Sequence, residues 1–295
     1  GGRYIVLITH AHNDHARVGS RSYLCAKPGE SILRLRLGID ANIQSIAFGE
    51  PVTINGVRVS LHPAGHLLGS AQVRIESEGR ITVISGDYKT EADPTCEPFQ
   101  PIACDTFITE STFGLPIYRW AAAHETFDDI NQWWRDNRGA GVTSIIYAYA
   151  LGKAQRVIAG VDASIGPILA HGAILRLVDA YRAAGIELPE VLPATPKNVK
   201  VHRGKGGALV IAPTSAQNNP WLRKFGEQSS AFASGWMQVR GNRRRRNVDR
   251  GFVLSDHADW LGLLETIRTT GAHRIGVTHG YADTFTRYLR ETGYD

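Results

Sequence analysis

His10, His12, Asp14 and His15 place three imidazoles and a carboxylate within six residues. Each of these groups is costly to bury unpaired, so packing alone does not account for the run. At the end of a strand, His10 and His12 project to one side by the period-two rule, and the following turn swings Asp14 and His15 towards a second position nearby. One loop can thereby furnish two ligands to each of two metal ions. Neutral imidazole with carboxylate suits zinc, and manganese where oxygen donors increase. Further on, His66 stands in Ala64-Gly65-His66-Leu67-Leu68-Gly69-Ser70, between glycines that let the backbone approach a metal closely. Asp87, in Ser85-Gly86-Asp87-Tyr88, ends another strand-like run, where a carboxylate can bridge two ions.

The elements that must carry these residues are legible in outline. Arg3–Thr9 reads as a buried strand and Ser31–Leu37 as helical. In Val52–Leu61, Asn55-Gly56 sits between two alternating runs, the strongest short hairpin signal. Strands are expected at Ala71–Ser77, Arg80–Ser85 and Thr106–Thr109. Helical spacing then appears over Thr126–Arg138, whose Trp133 and Trp134 read as core rather than as a base-stacking platform. Ser144–Ala148 is a strand, Lys153 begins a helix after Gly152, and Ile174–Ala184 is an amphipathic helix closed by Gly185. Strands are expected again at Ala208–Ala212, Phe232–Val239, Phe252–Leu254 and Ile275–Thr278, with helices at Trp260–Thr269 and Asp283–Glu291. Strand–helix alternation in the middle implies a parallel, doubly wound insert within a sheet-rich α/β scaffold.

Composition bounds the rest. With 295 residues, 43% hydrophobic and 21% charged, the chain has ordinary globular composition, which excludes general disorder. Apolar runs fall far short of the ~20 residues that span a bilayer, and no secretory signal opens the chain. The three cysteines, Cys25, Cys96 and Cys104, lack CxxC spacing, so the expectation is a reducing, cytoplasmic setting. A net charge of +5, carried mostly by arginine, leans towards a phosphate-bearing partner.

The series His10-x-His12-x-Asp14-His15, His66 and Asp87 resembles the metallo-β-lactamase fold, an αββα sandwich with a binuclear metal site at one edge. Thr109-Glu110-Ser111-Thr112-Phe113-Gly114, Leu254-Ser255-Asp256-His257-Ala258-Asp259 and Val277-Thr278-His279-Gly280 resemble the three motifs of its β-CASP nucleic-acid-processing branch. Longer stretches, at 93–120, 148–156, 231–241 and 250–260, are most similar to bacterial ligase-associated DNA exonucleases. The resemblance implies a metallo-β-lactamase domain over 1–115 and 250–295 with a β-CASP insert over 116–249 that closes over the metals. It also implies further strands ahead of the His-rich loop, which this chain, starting at Gly1-Gly2, would lack.

By the same resemblance, His10, His12 and His66 hold one metal, Asp14, His15 and His279 the second, and Asp87 bridges. Two ions ~3.5–4 Å apart share a water, lower its pKa towards ~7 and clamp both oxygens of an in-line phosphoryl displacement. Asp14 also accepts a proton, His257 acts as general acid, and Glu110 orients it and keeps it protonated. Lys153, at a strand-to-helix turn, and Ser234 are expected on phosphate, as are Arg240, Arg243 and Arg244 of the arginine run. The leading implication is a two-zinc DNA exonuclease of repair, with DNA as substrate, a DNA ligase and a helicase as partners, and no membrane. RNA-processing members keep a third-motif histidine, as here at His279, so an RNA nuclease is the second reading. A catalytically dead nucleic-acid-binding subunit is the third, and a small-molecule hydrolase the fourth.

Overall fold

A computed structural model describes residues 5–202, 207–217 and 219–295. Arg3 and Tyr4 of the first expected strand lie outside the described residues. In chain order the elements are β1 (Val6–Leu7), β2 (Tyr23–Ala26), α1 (Glu30–Leu37), β3 (Ile43–Ile46), β4 (Pro51–Ile54), β5 (Val57–Pro63), β6 (Ala71–Ser77), β7 (Arg80–Ile84) and β8 (Thr106–Glu110). Next come α2 (Ala123–Gly139), β9 (Thr143–Ala148), α3 (Lys153–Gly160), β10 (Ile168–Ala170), α4 (Gly172–Ala183), β11 (Val191–Pro193), α5 (Pro196–His202), β12 (Leu209–Pro213), β13 (Gln228–Ala233), α6 (Arg240–Arg246) and β14 (Arg250–Phe252). The chain closes with α7 (Trp260–Thr270), β15 (Arg274–Thr278) and α8 (Ala282–Glu291). Its contacts divide it into two compact units, Gly1–Arg119 with Asp256–Asp295, and Trp120–Ser255. Among the described residues no helix is long and apolar enough to cross a membrane.

The first unit holds two sheets, a parallel one in the order β1-β2-β3 and a mixed one in the order β15-β8-β7-β6-β5-β4. Alternation along the strands decides what each face meets. Leu24 and Ala26 of β2, Ile46 of β3, Val59 and Leu61 of β5, and Ala71 and Val73 of β6 form one buried cluster, so the two sheets face each other. From the opposite face of the mixed sheet, Val83 and Phe107 pack with Trp260, Leu263 and Ile267 of α7 and Phe285 and Leu289 of α8. The β4–β5 hairpin turns at Asn55 (φ 49°) and Gly56 (φ 83°), both left-handed, the type I′ geometry that matches the strand twist.

In the second unit, six parallel strands run in the order β11-β10-β12-β9-β13-β14. Both faces are covered. Ile146 and Ala148 of β9 and Leu209 and Ile211 of β12 meet α2, α3 and α4, including Trp133 and Trp134, while Ile145, Tyr147, Val210 and Ala212 face Val199, Leu222 and Phe225. One expectation needs correction here. Phe232–Val239 is not one strand: β13 ends at Ala233, where the Ser234 hydroxyl accepts the Trp236 amide (3.3 Å) and starts a 3₁₀ turn over Gly235–Gln238. The arginine run forms the short helix α6, with no buried residue.

Leu61 is wholly buried between the two sheets. Leu61→Ala should lower stability by about 2–5 kcal/mol, read as a shift of the urea midpoint at unchanged slope.

Candidate metal centre

The His-rich loop starts where β1 runs out. The Ile8 amide donates to the Leu24 carbonyl (2.9 Å) and the Thr9 carbonyl accepts from Ala71 (2.7 Å), so both sheets pin the residues just before His10. The His12 carbonyl then accepts the amides of His15 (3.1 Å) and Ala16 (2.8 Å), folding residues 12–16 into a turn. His10 points into the interior at 3% exposure.

Asp87 follows β7 and draws the loops together. Its Oδ2 lies 3.5 Å from His10 Nε2, 3.6 Å from His15 Nε2 and 3.9 Å from His66 Nε2. His66 Nε2 is 3.2 Å from His12 Nδ1. Ligand atoms of His10, His12, His66 and Asp87 all lie within 4.8 Å of one another, as do those of His15, Asp87 and His279. The two groups share Asp87. Asp14 falls in neither: its carboxylate is 73% exposed and sits 3.6 Å from His15 Nε2.

His66 Nδ1 is 2.7 Å from the Asp256 carbonyl, which can only accept, so Nδ1 carries the proton and Nε2 presents its lone pair to the cluster. The loop around His66 is tied by Ser70, whose Oγ accepts the amides of His66 (3.0 Å) and Leu67 (3.1 Å). The flanking glycines have a different reason from the one expected. Gly65 (φ +72°) packs against the Lys89 carbonyl, where a Cβ would sit at 2.4 Å, and Gly69 (φ +72°) packs on Gly29, where a Cβ would sit 2.1 Å from the amide nitrogen. They fit backbone to backbone and so fix the loop.

His279 is held in a strained, left-handed backbone (φ 57°). Ser111 stabilises it. The Ser111 hydroxyl donates to the carbonyls of Thr278 (3.2 Å) and His279, and the Ser111 carbonyl accepts the Tyr281 amide (3.0 Å).

A third group joins Asp87 to Glu110 and His257. His257 Nδ1 donates to the Glu110 carboxylate (2.8 Å to Oε2, 3.0 Å to Oε1), and the Tyr88 amide donates to Oε1 (2.7 Å). Burial alone pulls the His257 pKa down. The adjacent Glu110 charge and hydrogen bond outweigh it and hold the imidazole up at about 9. Burial pushes Glu110 towards its neutral form, but His257, with the Thr112 and Tyr88 hydrogen bonds, holds it below the ordinary carboxylate range.

The donor set fits divalent ions. His10 Nε2 is buried and makes no hydrogen bond. Burial, then neighbouring imidazoles, keeps His10 and His66 well below the ordinary histidine range and therefore neutral, the ligating form. Burial, then the nearby Glu110, raises the Asp87 pKa, so this carboxylate is in want of a cation. The expectations from the sequence did not include Ser70, Ser111, Tyr88 or the Asp256 carbonyl as supports. A serine four residues after His66 and one directly after Glu110 were the available signals.

The five residues expected on phosphate all lie in the second unit. Lys153 is buried at the first position of α3, and the Ser234 hydroxyl is engaged as a cap. Arg240, Arg243 and Arg244 are exposed on α6, although Arg243 Nε also donates to the Met237 carbonyl (2.5 Å).

The chain is thus a mixed α/β protein with a histidine–aspartate cluster where several strands end. No family profile matches it. It is 28% identical over 290 residues to a probable DNA ligase of Opitutus terrae, covering 98% of this chain and 28% of that protein. It is 30% identical over 195 residues to the endoribonuclease ysh1 of Aspergillus fumigatus, covering 62% of this chain and 22% of that one. With the endoribonuclease YSH1 of Saccharomyces cerevisiae, identity is 29% over 134 residues, covering 41% and 15%. The chain therefore spans less than a third of the length of these relatives. A protein of unknown function from Enterococcus faecalis V583 shares the fold, with a TM-score of 0.65 at 11% identity over 95% of this chain and 76% of that one. The relatives bear out the resemblance to metallo-β-lactamase-type nucleases of the β-CASP branch.

The raised His257 pKa has a direct test. A protonated imidazole favoured in the folded chain gives stabilisation that is complete below about pH 6.5 and is lost as pH rises through about 9. In metal-free protein, Glu110→Gln should lower the His257 ring titration seen by NMR. It should also flatten the loss of stability between neutral pH and about 9.

Proposed function

We propose that the chain is a binuclear-metal phosphodiesterase, a DNA exonuclease of repair. Its metallo-β-lactamase αββα sandwich would cover 1–115 and 250–295, with a β-CASP insert over 116–249. The observation that supports this most is the sharing of Asp87 by two donor groups, His10/His12/His66 and His15/His279. Zinc is the ion that imidazole and carboxylate suit best, with manganese as the substitute.

These residues and Asp14 would hold the ions, which when bound would supply Lewis acidity at phosphoryl oxygens and lower the pKa of a water. The chain's own groups supply the proton traffic. Asp14, exposed beside His15, accepts the proton of the attacking water. His257, kept protonated by Glu110, commits Nδ1 to that carboxylate and delivers the Nε2 proton to the leaving oxygen. Glu110 stays ionised through this cycle because the Tyr88 amide and the imidazole both donate to it. In the second unit, Lys153, Ser234, Arg240, Arg243 and Arg244 hold the phosphate backbone.

Similarity over nearly the whole chain to a protein named as a probable DNA ligase favours DNA and a ligase partner; a helicase partner and a cytoplasmic setting complete the same reading. Similarity to endoribonucleases, together with His279, supports RNA as the second reading.

End-labelled single-stranded DNA and matched RNA, each incubated with the protein and zinc or manganese, decide between them. Stepwise shortening of DNA alone is expected, with Asp87→Ala abolishing it and His257→Ala slowing it by about 10²–10⁴-fold. RNA cleavage with DNA left intact would replace the first reading by the second. Cleavage of neither, by protein shown to contain metal, would remove both.

A further inference from the structure

Arg36 lies in the last turn of α1, far in sequence from every residue of the cluster. Its Nε donates to the Ala11 carbonyl (3.1 Å) and its Nη1 to the Asn13 Oδ1. Ala11 separates His10 from His12, and Asn13 separates His12 from Asp14. One planar guanidinium thus grips the His-rich loop on both sides of His12. His10 and His66 are held by burial, and His66 also by its bond to the Asp256 carbonyl, whereas His12 is only half-buried. The helix that carries the guanidinium is itself anchored. Ile32 and Leu33 are 1% exposed, Gly29 just before it packs on Gly69, and Glu30 takes a bond from Ser45 of β3.

We propose that Arg36 is a positioning residue for the metal loop: its two-armed grip on Ala11 and Asn13 sets His12 and the 12–16 turn in ligating geometry. The inference rests on the metal reading of the site. Two other roles are separable from it by sign. A fixed positive charge beside bound cations repels them, so a purely electrostatic Arg36 would weaken metal binding, and its removal would tighten it. A positioning Arg36 does the reverse. Lysine keeps the charge but not the rigid fork, so Arg36→Lys recovers only part of the effect.

The test uses the full chain with Arg36→Gln, Arg36→Lys and, as control, Arg34→Gln on the same helix, whose guanidinium serves Glu30, Ile39 and Ala41 instead. Zinc affinity is read by competition with a chromophoric chelator. Arg36→Gln should bind zinc about 10–100-fold more weakly, Arg36→Lys less so, and Arg34→Gln like the parent. Amide exchange is read separately in chelator-treated protein, where the amides of His15 and Ala16, both bonded to the His12 carbonyl, should exchange faster in Arg36→Gln. Equal or tighter zinc binding in Arg36→Gln, or unchanged exchange at His15 and Ala16, overturns the proposal. If the parent chain binds no zinc, the binuclear reading falls, and the exchange measurement still decides whether Arg36 sets the turn.

Discussion

Asp87 is 8% exposed, and among the imidazoles around its carboxylate burial keeps His10 and His66 neutral. A carboxylate in that position has lost most of its water, and the nearby His257 imidazolium, committed to Glu110, offsets that burial only in part, which leaves the site suited to a cation. Much of the first unit is organised around this deficit. β1 and β7 end beside one another so that His10 and Asp87 meet, and the β5–β6 connection delivers His66 to the same point.

Holding such a cluster open costs conformational freedom, and the chain meets that cost with backbone contacts. Gly65 and Gly69 let their loop lie directly on Lys89 and Gly29, Ser70 closes it from within, and Ser111 fastens the left-handed turn at His279. Each of these residues acts on the main chain and leaves the ligand side chains to face one another. The loops are thereby fastened through their main chain beside the ligands, which is what a preorganised centre requires.

How much of this was legible in the sequence differs by element. The Asn55-Gly56 hairpin and strand Ala71–Ser77 were readable because turn chemistry and alternation are local. Tyr23–Ala26 and Ile168–Ala170 escaped notice: short and buried throughout, they carry no periodicity to read. In the site, His10 and His12 were visible because clustered imidazoles have few other uses, and His66 and Asp87 only because they follow that motif in order. Supports such as the Asp256 carbonyl act through the backbone, which every residue has, so no side-chain type marks them. The glycines around His66 were visible but their purpose was not, since only the fold brings Lys89 and Gly29 against them.

The remaining question is why two buried carboxylates stand so close. Glu110 is 1% exposed and belongs with Asp87 and His257 to one group of donors. Side by side they would repel, and one would take up a proton, unless each had its own positive partner. The geometry separates the two demands. Glu110 is committed to His257 by both carboxylate oxygens and to the Tyr88 amide, while Asp87 faces the imidazoles through Oδ2. An imidazolium satisfies the first carboxylate and leaves the second for a cation that the cluster could hold. The proton on His257 and a cation at Asp87 would therefore be linked: each neutralises one carboxylate, and as like charges they compete, so loss of the cation would favour the proton on His257.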